Sequence, residues 1–114
     1  MAPQLIDNPR ESRYELHVDG ETVAWAEYRP AGGSVIIAHT EVAAEHAGEG
    51  LGGLLTRAVF DAARADGRTV IPICPFAAAY VRRNPELVDD VAPSLRSRFR
   101  ADRSGDRDGP VQPR

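Results

Sequence analysis

The feature that most constrains this chain is a run of glycines. Gly48, Gly50, Gly52 and Gly53 fall between an apolar run, Val35 to Ala38, and a helical pattern, Leu54 to Asp66. Glycine costs a helix roughly 1 kcal/mol per position against alanine. A cluster where a helix should begin therefore argues for a purpose other than helix stability. Anion binding supplies one. The first amides of a helix lack intrahelical partners and point outward at the positive end of its dipole. Without side chains in the way, a phosphate approaches them closely. A flexible glycine turn is the plain alternative.

Two phosphate-binding patterns compete here. Gly48-x-Gly50-x-x-Gly53 matches the dinucleotide fingerprint, but the acidic residue that should follow about 20 positions on is missing from Thr69 to Phe76. The preceding segment also reads as antiparallel hairpins. No Gly-Lys-Ser/Thr follows, which removes a P-loop.

The 114 residues suit one domain with a single core. A net charge of −3 gives no general attraction to nucleic acid or membrane. All 14 basic residues besides histidine are arginine. The single cysteine excludes an internal disulfide and a multi-cysteine metal site. The three histidines share no ligand spacing, so no metal is expected. No apolar signal core opens the chain and no run has transmembrane length, so the expected location is cytoplasmic.

Residues 1–10 are polar and read as a flexible arm, 11–100 as the folded domain, and 101–114 as a disordered tail of Arg, Asp, Gly and Pro. Tyr14, Leu16 and Val18 alternate with polar residues as a half-buried strand. Asp19-Gly20 is a hairpin turn, Val23 to Tyr28 a second strand, Arg29 to Gly33 another turn, and Val35 to Glu41 a third strand. The helix that follows presents Leu51, Leu54, Leu55, Ala58 and Ala62 on one face, with Thr56, Arg57, Asp61 and Arg64 away from it. Thr69 to Cys74 is apolar throughout and reads as a central strand, although Pro72 cannot donate to a ladder. Pro75 opens a second helix that Pro85 stops, and Glu86 to Arg100 reads as a weak helix broken at Pro93. The basic cluster Arg96, Arg98, Arg100 reads as a solvated face.

The loop Ala47-Gly48-Glu49-Gly50-Leu51-Gly52 resembles the Arg/Gln-x-x-Gly-x-Gly/Ala loop of the Gcn5-related N-acetyltransferases, with alanine in the first position. With His39-Thr40-Glu41-Val42 and Cys74-Pro75-Phe76, it resembles a small single-domain subfamily over roughly residues 10 to 90. Asn84 stands where that subfamily has histidine, so no role of that imidazole is carried over. The resemblance implies an α/β fold: a mixed sheet with an N-terminal antiparallel meander, helices on both faces, and two parallel strands that splay apart to admit acetyl-CoA. It also accounts for Pro72. The implied reaction is acetyl transfer to an amine, either a small molecule or a peptide or protein. A CoA- or acyl-CoA-binding module without turnover is the alternative. Acetyl-CoA would lie along Thr40 and Val42, with its pyrophosphate on the amides of Gly48, Glu49, Gly50, Leu51, Gly52 and Gly53.

An ammonium is not a nucleophile, so a base must take its proton. Glu41 ends the third strand beside the glycine loop, on the face of Ile37 and His39 by period two, where burial beside apolar neighbours would raise its pKa. A surface carboxylate is the alternative. Cys74 precedes a helix-opening proline, where a thiolate is favoured. It reads either as an acyl-carrying nucleophile or as a buried pocket residue, and direct transfer with Glu41 as base is preferred. The resemblance places Tyr80 where a tyrosine hydroxyl could protonate the leaving thiolate, with an aromatic core residue as the alternative, and His39 reads as a relay or an ordinary strand histidine. His17 and His46 read as structural or exposed.

Overall fold

The computed structural model describes residues 2–104, with side chains through Arg100. The expected disordered tail begins at Ala101. Ala101 to Ser104 instead close a helix, and 105–114 lie outside the described residues.

Five strands form one sheet in sequential order. They are β1 (Gln4–Asn8), β2 (Arg13–Val18), β3 (Glu21–Ala31), β4 (Ser34–Val42) and β5 (Thr69–Pro72). The first four make an antiparallel meander, and β4 and β5 are parallel. Asp19 (φ 54°) and Gly20 (φ 82°) both lie in the left-handed region. That is the turn whose twist matches the flanking strands.

Within the expected arm, Gln4 to Asn8 form a strand instead: β1 covers the outer edge of β2 with Leu5 opposite Leu16. Its sequence is too polar to announce a strand, and its anchors come from distant residues. The Tyr28 hydroxyl donates to Asp7 Oδ1 (2.6 Å), and Asn8 Nδ2 donates to Glu15 (3.0 Å).

Helix α1 (Leu51–Ala65) buries Leu55, Val59, Phe60 and Ala63 against Tyr14, Leu16, Ala24, Ala26, Val35 and Ile37. The buried stripe runs one position from the expected one. Val59 and Phe60 set it, which leaves Leu54 exposed and takes Thr56 inside, where its hydroxyl donates to Gly52 O (2.8 Å). Helix α2 (Pro75–Arg83) packs beside α1 through Phe76 and Tyr80. Two 3-10 turns (Pro85–Asp90 and Pro93–Leu95) lead to α3 (Arg96–Ser104). Along β3 and β4 the face away from α1 is solvated, with Glu27, Arg29, His39 and Glu41 exposed.

Two further expectations are corrected. β5 is an edge strand, not a central one. It is buried because α1 packs on it and the segment around Val91 bridges its outer side, where Ala92 N–H donates to Val70 O (2.9 Å). An edge position also tolerates Pro72. In β4 the register shifts: Glu27 faces His39 but Tyr28 faces Ile37, so Ala38 is a bulge residue. The bulge cancels the period-two argument that put Glu41 on the face of Ile37. Ile37 is fully buried, while His39 and Glu41 turn to the open face. No described helix is long and apolar enough to cross a membrane.

Candidate active site

The site begins where β4 and β5 part. Their pairing runs from Ser34–Thr69 to Ile37–Pro72 and stops, while β4 continues to Val42. The cause is local. Pro72 has no N–H, and Ile73 N–H turns back to Ile71 O (3.1 Å), which bends the chain off the ladder. Cys74 N–H then closes the fork on Ile37 O (3.0 Å). Beyond that bond, Ala38 to Val42 has no strand partner on its β5 side among the described residues.

Cys74 sits at the mouth of the fork as the N-cap of α2, 5% exposed. Thr40 Oγ1 lies 3.5 Å from its Sγ. Burial pushes the thiol pKa up. The Ala77 amide, the Thr40 hydroxyl, and the Phe76 and Thr40 amides pull it down and prevail, so it lies below the usual thiol value. The thiolate is thus favoured by donors already in place.

The glycines divide into two pairs. Gly48 (φ 84°) and Gly50 (φ 77°) adopt left-handed backbone, with nothing within 4 Å of where a Cβ would stand. Gly52 and Gly53 lie inside α1 and serve packing. A Cβ would come within 2.7 Å of Phe76 Cζ at Gly52 and within 3.0 Å of Tyr80 Cε1 at Gly53. The expectation that all four exist to admit a phosphate is therefore corrected to two turn glycines and two packing glycines. Glu49 is corrected too: its N–H donates to His46 O (3.3 Å) and its carboxylate holds the His46 ring (3.1 Å). That carboxylate raises the pKa of His46. What survives is the start of α1. Gly50 is an N-cap without a side-chain cap, its carbonyl accepts from Leu54 N–H (3.3 Å), and the amides of Leu51, Gly52 and Gly53 precede that first helical bond. Leu51 itself packs on the core, as does Val42 at the end of β4. These amides lack a side-chain cap, and the open space lies at Gly48 and Gly50 before them, a donor arrangement that suits an anion.

Glu41 is bonded to His39 (3.1 Å), and the two side chains are 54% and 53% exposed. The expected apolar burial of Glu41 is absent. Its side chain lies on the open face, whereas Thr40 turns the other way toward Cys74. Tyr80 is half-buried, its ring lying on Gly53 with the Arg57 and Arg83 guanidiniums 5.8 and 6.0 Å from its centroid. Arg57 also bonds Glu86 and Asn84 Oδ1, and Asn84 Nδ2 donates to Tyr80 O (2.8 Å). Asn84 is thus part of a clamp holding Tyr80. Sequence reasoning missed Arg57 as a partner of Tyr80. Its only signal was the four-residue spacing from Gly53, which looks like any helix surface.

The fold therefore joins Thr40 to Cys74, Glu41 to His39, and the glycine-rich helix start to Phe76 and Tyr80. It does not bring Glu41 into contact with Cys74. No group of three or more metal-ligating side chains occurs among the described residues. No match was found among curated proteins. A family model described as GCN5-related N-acetyl-transferase matches residues 13–91, from the start of β2 to the bridge beside β5. An acyl-transfer function comes with that match, and the forked strands and uncapped helix start lie within it. The chain belongs to the GCN5-related N-acetyltransferase family.

Proposed function

We propose that the chain transfers an acetyl group from acetyl-CoA to an amine. The observation that carries this reading is the fork, with a thiol and a hydroxyl at its mouth and an uncapped helix start at its far end. The amides of Leu51 to Gly53, with Gly48 and Gly50 leaving room above, would hold the diphosphate. The unpaired edge of β4 from Ala38 to Val42 would take the amide-bearing arm. Bound there, acetyl-CoA supplies the activated acyl carbon.

The remaining work belongs to side chains. Glu41, steadied by His39, takes the ammonium proton from the solvated face. Tyr80, held against Gly53, returns a proton to the departing sulfur. The environment of Cys74 favours a two-step course over the direct transfer preferred from sequence. Its thiolate would form a bond to the acetyl carbon as the bond to the CoA sulfur breaks. The deprotonated amine would then take the acetyl group and release the thiolate. Intact-protein mass spectrometry after incubation with acetyl-CoA alone tests this. An acetyl mass on the wild type, absent from Cys74→Ala and lost on adding amine, supports two steps. Turnover by Cys74→Ala at the wild-type rate assigns direct transfer. Binding of acetyl-CoA without any acetyl transfer selects the non-catalytic module.

A further inference from the structure

The bulge in β4 opens a second feature on the solvated face. A cavity of about 380 Å³ lies there, lined by Glu11, Ser12, Glu27, Tyr28, Arg29 and Ala38. Its wall is built from distant parts of the chain. Ser12 (φ 56°) belongs to the β1–β2 connection, and its carbonyl is fixed by Tyr28 N–H (2.9 Å). Ala38 is the extra residue that the register shift leaves without a partner. Three residues with charged side chains line this cavity: Glu11, Glu27 and Arg29. None of these side chains has a hydrogen-bond or ion-pair partner among the described residues. Both signs of charge are thus available in one concavity.

The cavity also has a defined relation to the candidate catalytic groups. Glu27 stands directly across from His39, which bonds Glu41. The thiol of Cys74 lies beside Thr40, on the opposite face of β4 from Glu41, and is reached through the gap where β4 outruns β5. Adjacent strands are about 4.8 Å apart, so the route from β3 across β4 to the fork is roughly 10 Å. An extended four-carbon side chain covers most of that length. It would pass the His39–Glu41 pair before entering the gap where β4 outruns β5.

We propose that this cavity anchors the acceptor, and that the acceptor is a free amino acid whose side chain ends in an amine. Its α-ammonium pairs with Glu11 and Glu27, its α-carboxylate pairs with Arg29, and its terminal amine lies at Glu41. This assignment rests on the acetyl-transfer reading and names its substrate class. A lysine within a protein lacks both charged α-groups and does not satisfy the cavity.

Two measurements test it. The first reads the cavity without turnover: an NMR titration of the protein with L-lysine, and separately with cadaverine, which has the chain and amine but no carboxylate. Lysine should shift the amides of Glu27, Arg29 and Ala38, and cadaverine should shift them far less. Absence of lysine shifts overturns the proposal, whatever the transfer assay shows. The second compares kcat/KM for acetyl transfer to L-lysine, to cadaverine and to a lysine blocked at both α-groups. Free lysine should lead by about tenfold or more, the scale of one charged hydrogen bond. Arg29→Gln should close the gap between lysine and cadaverine, and Arg29→Lys should restore part of it. Equal use of all three amines, or preference for the blocked lysine, removes the cavity from recognition while leaving acetyl transfer standing. Failure to bind acetyl-CoA removes acetyl transfer, while the lysine titration still judges the cavity by itself.

Discussion

Glu15 offers the sharpest physical test of the solvated face. It is 6% exposed on β2, in register with Trp25 and, one strand on, Glu41. Its carboxylate is held by His17 Nε2 (2.9 Å), Arg13 Nε (2.8 Å) and Asn8 Nδ2 (3.0 Å). Arg13 in turn lies 5.2 Å from the centroid of the Trp25 ring. The hydrogen bonds from His17, then Arg13, then Asn8 outweigh burial and lower the pKa of Glu15 to about 2 from 4.5. A carboxylate whose folded pKa is depressed contributes stability that is fully present above its unfolded pKa. That stability is lost as pH falls through the folded pKa, so the window here runs from about pH 5 down to about pH 2. At 1.36 kcal/mol per unit, the contribution is about 3 kcal/mol. This is an upper figure, because water competes for Arg13 and His17, whose side chains are 30% and 25% exposed. Urea unfolding of wild type and Glu15→Gln at pH 7 and pH 3 reads the effect. At pH 7 the variant should be less stable by about 2 to 3 kcal/mol, a fall of order 10 °C in Tm. The difference should shrink toward pH 2, because Glu15 itself takes up its proton there and then resembles the neutral glutamine. Parallel pH profiles with equal stability at pH 7 would refute the network as a source of stability.

Other outcomes follow from the site. Alkylation of Cys74 should proceed with a midpoint below that of an ordinary thiol, and Thr40→Val should move that midpoint up; an unshifted midpoint in wild type contradicts the donor arrangement. Glu41→Gln should keep acetyl-CoA binding and lose turnover by roughly 10²–10⁴-fold, recovering in part at high pH where the amine deprotonates unaided. A wild-type rate at every pH would remove Glu41. Gly50→Asp should abolish CoA binding by calorimetry through like charge and a strained left-handed backbone, and unchanged affinity would remove the helix start as the diphosphate site. Gly53→Ala should reduce turnover more than CoA affinity, because its Cβ displaces Tyr80; equal loss of both would assign that contact to binding alone.

The sequence alone determined the meander and its hairpin turn, the long helix after the glycines, and the short helix between Pro75 and Pro85. These rest on local signals: alternation, the Asp19-Gly20 dipeptide, which does adopt paired positive φ, and prolines that start or stop helices. It also marked the fork through Pro72, whose missing N–H is a property of one residue. What it misjudged depends on partners far along the chain. β1 exists because β2 has a free edge and Asp7 has Tyr28. β5 is an edge strand that resembles a central one because the segment near Val91 closes over it. The glycines divide between turn and packing only once Phe76 and Tyr80 arrive against α1. The face of Glu41 was decided by one bulge residue, Ala38, since strand periodicity carries a side chain to the correct face only while the register is unbroken.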